Sequence, residues 1–554
     1  MSTGNVVPKK RIVHRKSISD QLEHINSPLF SLVEPQNATT VNETIRVVGD
    51  GIQLERNAHI YDVEALEEES KTNINQSKNE SFLKKVENFT SILLIILEQL
   101  ITSITFLLPD SLISMFTSLS RLIFSAFKSK NDIYNAFISN TETSYSQDAL
   151  LQKVEKLRNF QSFHQICELN GFKAESHMVH TDDGFNLTLH RLNPEINTFK
   201  SNGKAVYLQH GLLMSSDIWC VMLNKNDNLP FKLCELGYDV FLGNNRGNKY
   251  SNKHVEFDSS QSEFWNFSLD EFAMYDIPAS INYILNLKKI NHLTYIGFSQ
   301  GCSQILSSVS INNDLNDKID KLILIAPATT PKRLSNWLIN SIVHFDPELI
   351  YLLFGRKILM KSVMFWRRIT YPPMFVKLID IPNDILFDWK SKNIDIMQKL
   401  VSYYHLYSTT SVKCAVHWFQ IIKSKRFQMY QDEDYFQPFE YPTDKTINPS
   451  KMLIIYGMSD SLVDIDVLVD QLPEFKNLNF KQIKNGKVVG KKTIINNVEI
   501  ESNDVEPVEN YKEKKDDESS ELTIFGINGY EHLDLLWGKY INENVISNIV
   551  NFME

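Results

Sequence analysis

The 554-residue sequence predicts an α/β architecture, a mainly parallel sheet with helices on both faces, an inserted helical cap, and an apolar helical hairpin ahead of it. Three observations carry that prediction. Short apolar runs bounded by turn residues recur at 205–209, 239–242, 293–296, 322–325 and 452–456, with helix-compatible stretches between them. These runs are mostly apolar and do not alternate, as strands buried on both faces require. Between 329 and 449 the alternation stops, and Trp337, Phe354, Phe365, Trp366, Trp389, Tyr403, Tyr407 and Trp418 recur on mostly helical spacings.

In chain order, residues 1–85 are rich in Ser, Asn, Glu and Lys without a sustained period, which reads as a disordered polar arm. Residues 86–130 read as the hairpin. Its first arm, FTSILLIILEQLITSITFLL, would be about 30 Å long as a helix. Glu98 lies mid-arm, and an ionised carboxylate at a bilayer centre costs about 3 kcal/mol, so a hairpin with an embedded Pro109-Asp110 corner is favoured over a span. In the second arm Leu112, Phe116, Leu119, Ile123 and Phe127 keep helical spacing. The first part of the core occupies 150–328 and opens on two strands, 175–181 and 185–191, joined at Asp182-Asp183-Gly184. The cap takes 329–449. The second part of the core takes 450–554 and contains a charged insertion, 481–520, read as a solvated loop.

Gly297-Phe298-Ser299-Gln300-Gly301 follows an apolar strand and precedes a helix-compatible run. A serine at that junction sits on a strained turn with Oγ above the sheet, and side chains two residues either way would strike backbone. The pattern resembles the nucleophile turn of the α/β-hydrolase fold, with Ser299 as candidate nucleophile. A hydroxyl needs a base, and the base an orienting acid. His532, after the last strand-like run at 522–526, is the candidate base. The acid belongs on the loop after 452–456, where Asp460 comes first; Asp464 and Asp466 suit the cap of the next helix better. An oxyanion hole needs two backbone N–H groups, and Gln300 and Leu212 are the candidates. His210 reads as a structural histidine and Arg246 as a tie between loops.

A net charge of −10 and a pI near 5.8 argue against a nucleic-acid partner. The five cysteines show no metal-ligand spacing and read as reduced thiols, and the N-terminal residues lack the apolar core of a secretory signal. No metal or organic cofactor is called for.

The segments LQHGLLMSSDIWC, FLGNNRGNKYS, FWNFSLDEFAMYDIPASINYI, YIGFSQG, YGMSDSLVDIDV and YEHLDLLWG together resemble the acid lipase family. LYSTTSVK and VHWFQI, with the apolar double arm, most resemble its fungal steryl ester hydrolases. The resemblance implies Ser299, Asp460 and His532 as triad and Leu212 and Gln300 as oxyanion-hole residues. It implies sterol esters as substrates, triacylglycerol as a secondary one, and residence on a lipid monolayer at the lipid-droplet surface. The alternatives are a triacylglycerol lipase, a hydrolase-like lipid-droplet protein without catalysis, and an enzyme of the endoplasmic reticulum or plasma membrane. The long spacing between Asp460 and His532 departs from the family pattern, but loop-closure cost rises only logarithmically with length.

Overall fold

A computed structural model describes residues 11–12, 46–47, 52–53, 110–126, 145–331, 341, 343–359, 361–432, 438–446, 451–475, 477–495, 498–502 and 521–554. The chain divides into two units. In the first, residues 14–94, the described residues form one antiparallel pair, 46–47 with 52–53. The second contains the sheet and the candidate site.

The principal strands are β1 (Glu175–His180), β2 (Phe185–Leu192), β3 (Ala205–Gln209), β4 (Asp239–Leu242), β5 (Leu293–Phe298) and β6 (Ile319–Ile325), then β7 (Lys451–Gly457), β8 (Asn477–Lys484), β9 (Lys487–Ile495), β10 (Val498–Ser502) and β11 (Glu521–Ile527). Across the sheet their order is β10-β9-β8-β11-β7-β6-β5-β3-β4-β2-β1. Strands β4, β3, β5, β6, β7, β11 and β8 pair in parallel. Antiparallel strands close both edges. Every residue of β3, β4 and β5 is buried, as expected where helices cover both faces. The β1–β2 hairpin turns through Gly184 at φ 96°, a conformation open mainly to glycine.

Between β6 and β7 the chain leaves the sheet for the cap. Its helices include Pro347–Phe354, Lys361–Ile369, Pro372–Phe387, Ile396–Leu406 and Val412–Ser424. Capping side chains start several of them: Asp346, Asp395 and Ser411 each accept a first-turn N–H.

The sequence reading needs one correction. The first part of the insertion read as a solvated loop is strand: β8 runs parallel to β11 with Ile483 in register with Ile527, and β9 and β10 extend the sheet outward. Asn485 and Gly486 join β8 to β9 at φ 50° and 72°, the two left-handed residues a tight hairpin turn wants. Dense charge concealed the alternation of Leu478 and Phe480 with polar neighbours, and the Lys481 ammonium sits over the Phe525 ring, 5.4 Å from its centroid. Residues 503–520 lie outside the described residues.

The first arm of the expected apolar hairpin and Pro109 also lie outside the described residues. The second arm is the helix Asp110–Ala126, and no described helix is long and apolar enough to cross a membrane. This helix packs on the cap. Thr117 Oγ1 donates to the Ile369 carbonyl at 2.8 Å, and the Tyr371 N–H donates to Ser120 Oγ at 2.8 Å. Met115, Leu119, Leu122 and Ile123 remain exposed along it.

Candidate active site

Ser299 stands between β5 and the helix Gln300–Ile311, held at φ 53°, ψ −117°. Its N–H donates to the Ile325 carbonyl at 2.9 Å, which ties the turn to β6. A non-glycine residue there is strained, and the surrounding backbone leaves no other path. A Cβ on Gly297 would lie 2.8 Å from the Cys302 nitrogen, and one on Gly301 would meet the Gln209 carbonyl. The two glycines of the motif are thus required by close backbone approach.

His532 lies on the loop after β11, buried, with Nδ1 2.6 Å from Asp460 Oδ2. The other Asp460 oxygen accepts the Leu462 N–H at 2.9 Å, so both carboxylate oxygens are fixed. Asp464 instead caps the helix Ile465–Asp470, and Asp466 lies in that helix's first turn. A carboxylate on Nδ1 leaves Nε2 as the ring's basic nitrogen. The Phe298 ring, adjoining Ser299, lies 5.1 Å from the His532 ring. No direct hydrogen bond joins Ser299 to His532 among the described residues; such contacts commonly tighten only with substrate bound.

Gln300 begins its helix, so its N–H has no carbonyl partner in that helix. Gly211 passes so close to the nucleophile that a Cβ there would sit 3.1 Å from the Ser299 Cβ. Leu212 follows it, and Leu213 turns the loop back at φ 59°. Backbone therefore lies against Ser299 from both candidate oxyanion segments.

His210 braces this loop. Its Nε2 accepts the Asn245 N–H at 3.1 Å, which fixes the proton on Nδ1, and that N–H donates to the Gly211 carbonyl at 2.7 Å. Burial pushes its pKa down to about 4, so the ring is neutral and structural. Arg246 is a tie, as read: it forks onto Asp276 and Asp183 and stacks over Phe185.

Two cap tryptophans touch this machinery, a contact that their helical spacing in the sequence does not reveal. Trp389 stacks face to face on His532, centroids 5.1 Å apart and planes 3° from parallel. The Trp418 indole N–H donates to Gln300 Oε1 at 2.7 Å. Two acids that flank His532 in Tyr530-Glu531-His532-Leu533-Asp534 were also passed over; their proximity in sequence was the available signal.

Asp534 gives a pH-dependent prediction. Its Oδ2 accepts N–H groups from Glu531 and Asn393, but its Oδ1 is buried without a partner. Burial pushes its pKa from 3.8 up to about 6. Between those values the folded chain keeps a proton that the unfolded chain has lost, so this group's contribution to stability falls as pH rises through that window. Asp534→Asn keeps an acceptor for both N–H groups. It is expected to raise the melting temperature at pH 7 and leave it nearly unchanged at pH 4; equal shifts at both pH values would contradict the argument.

A parallel sheet with a nucleophile-type turn at the end of β5, an acid after β7 and a histidine after β11 defines an α/β hydrolase. Residues 204–487 match the alpha/beta hydrolase fold family and residues 163–223 the partial alpha/beta-hydrolase lipase region. The chain belongs to the alpha/beta-hydrolase family and is a hydrolase of the lipase and esterase class. It is 39% identical over 432 residues to a probable lipase of Schizosaccharomyces pombe, covering 76% of this chain and 85% of that one. It is 32% identical to the gastric triacylglycerol lipase of Rattus norvegicus over 332 residues, 57% of this chain and 83% of that one. It is 31% identical to the human lysosomal acid lipase/cholesteryl ester hydrolase over 342 residues, 57% and 85% of the two chains.

Proposed function

We propose that this protein is a steryl ester hydrolase working at a lipid surface by acyl transfer through Ser299, His532 and Asp460. The observation that carries the reading is the buried Asp460–His532 pair beside the strained Ser299 turn, beneath an aromatic cap. His532 Nε2 takes the Ser299 proton as Oγ attacks the ester carbonyl. The N–H groups of Leu212 and Gln300 receive the oxyanion, each such donor being worth about 3 kcal/mol in the transition state. Collapse expels the alcohol, protonated by His532, and water repeats the cycle on the acyl-enzyme. Asp460 orients the ring and balances the imidazolium.

The sterol reading is supported by the resemblance of LYSTTSVK and VHWFQI to fungal steryl ester hydrolases and by likeness to a relative named for cholesteryl ester hydrolysis. The gastric triacylglycerol lipase among the relatives supports triacylglycerol as a second substrate. Purified protein given emulsified cholesteryl oleate and triolein side by side is expected to release fatty acid from both, faster from the sterol ester. Turnover of triolein alone would overturn the sterol reading.

The lipid-surface part rests on exposed apolar side chains. Met115, Leu119 and Leu122 make a stripe on one helix, and Leu378, Ile381 and Ile385 make another on a cap helix that touches it. Each such side chain is about half exposed, so withdrawing it from water contributes about 1 kcal/mol. The triple variant Met115→Lys, Leu122→Lys, Ile381→Lys is expected to lose at least about tenfold in activity on emulsified ester and keep that on a short soluble ester. Equal loss on both would remove this support. A fluorescent fusion of residues 85–130 expressed in fat-loaded cells is expected to ring lipid droplets; reticular or plasma-membrane signal would move the enzyme there.

A further inference from the structure

The loop bearing His532 is held by the cap as much as by the sheet. The backbone N–H groups of Lys390 and Ser391 donate to the two oxygens of Glu531, at 2.9 and 2.7 Å. Asn393 Nδ2 donates to the Gly529 carbonyl at 2.7 Å and to Asp534 Oδ2 at 2.9 Å, while the Asn393 carbonyl accepts the Lys539 N–H at 2.8 Å. Trp389, at the head of the same short segment, lies flat on the His532 ring. The acid loop is tied as well, since Ser461 Oγ, next to Asp460, donates to the Phe387 carbonyl at 2.6 Å. Four of the five cap residues from Trp389 to Asn393 therefore hold the His532 loop from the cap side, and Trp389 alone among them touches the imidazole. A surface lid that merely excluded water would not need a carboxylate gripping two of its backbone N–H groups one residue from the base.

We propose that residues 389–393 form a positioning strap for the reaction, with Glu531 as its principal anchor, so that His532 holds its reactive pose only while the strap is docked. This rests on His532 being the base of Ser299. Two N–H groups on one half-buried carboxylate fix both oxygens, and through them the backbone of the residue before the histidine. The Trp389 face then fixes the ring about its own axis. It follows that the cap cannot lift as one body to admit ester without withdrawing the base. Substrate enters while the strap stays in place, past other parts of the cap.

The test uses the full chain with p-nitrophenyl butyrate, a soluble ester small enough to need no lipid surface, and counts reactive sites with a phosphonate. Glu531→Ala is expected to lower kcat per reactive site about 10- to 100-fold with KM within about twofold, the size of loss a 1 Å misplacement can produce. Glu531→Gln keeps one acceptor and is expected to fall between the variant and the parent. Asn393→Ala, further from the ring, is expected to show a smaller loss of the same kind, and reports on the strap should Glu531→Ala not fold. A graded kcat at constant KM supports positioning. Unchanged kcat per reactive site in Glu531→Gln and Asn393→Ala, whatever their melting temperatures, would show the strap to be packing only. Ser299→Ala is run beside them: if it retains turnover, the base assignment itself fails, independently of the strap.

Discussion

Ser299→Ala is expected to abolish ester hydrolysis, with kcat lower by roughly 10⁴- to 10⁶-fold, the loss seen when one member of a serine relay is removed. The fold should survive it. The turn at φ 53° is imposed by β5, β6 and the close approaches at Gly297 and Gly301, none of which involves the hydroxyl. The melting temperature is therefore expected to stay within a few degrees. The oxyanion N–H groups remain, so weak residual catalysis over water is expected, without an acyl-enzyme. Asp460→Asn should cost about 10⁴-fold by favouring the wrong tautomer of His532 while leaving its position intact. Mass spectrometry after a phosphonate inhibitor gives a second readout: the parent gains one adduct on Ser299 and Ser299→Ala gains none. Fatty-acid release by Ser299→Ala at anything near the parental rate would sink the nucleophile assignment.

What could be read in the sequence was whatever local chemistry enforces. The β3 to β7 strands show as mostly apolar runs because both faces are covered; β3 and β4 match those runs, while β6 and β7 extend theirs at ends that carry polar side chains such as Lys321 and Lys451. Gly297, Ser299 and Gly301 are fixed by steric contact within a few residues, so a short motif suffices to find them. Placing Asp460 on His532 across 72 residues needed the fold's order of strands, since three aspartates share that loop. Tertiary partners were out of reach. Nothing local distinguishes Trp389, which covers the imidazole, or Trp418, which holds Gln300, from the other cap aromatics. Asn485-Gly486 has the residue types of a hairpin turn, but the surrounding lysines made the stretch read as a solvated loop.

Arg246→Met is expected to be among the most destabilising single changes outside the site, by about 3–5 kcal/mol. The guanidinium is buried, and Asp276 beneath it is buried too. Burial raises the Asp276 pKa, and the attraction of Arg246 opposes that rise. Deleting the cation while keeping its volume leaves a carboxylate with its charge uncompensated in a low-dielectric interior, and the cost is mostly that orphaned charge. The double variant Arg246→Met, Asp276→Asn should therefore be more stable than Arg246→Met alone, which additive contributions from the two residues would not give. Asp183 is more open to solvent and its loss should matter less. Urea unfolding of the three chains reads this out directly, and the deficit should change little with salt because the pair is shielded from ions. The tie also reaches the chemistry. Asn245, the neighbour of Arg246, gives its N–H to His210, and His210 holds the Gly211 carbonyl beside Leu212. Arg246→Met is thus expected to lower kcat in its folded fraction, whereas an equally destabilising change far from this chain of contacts should not.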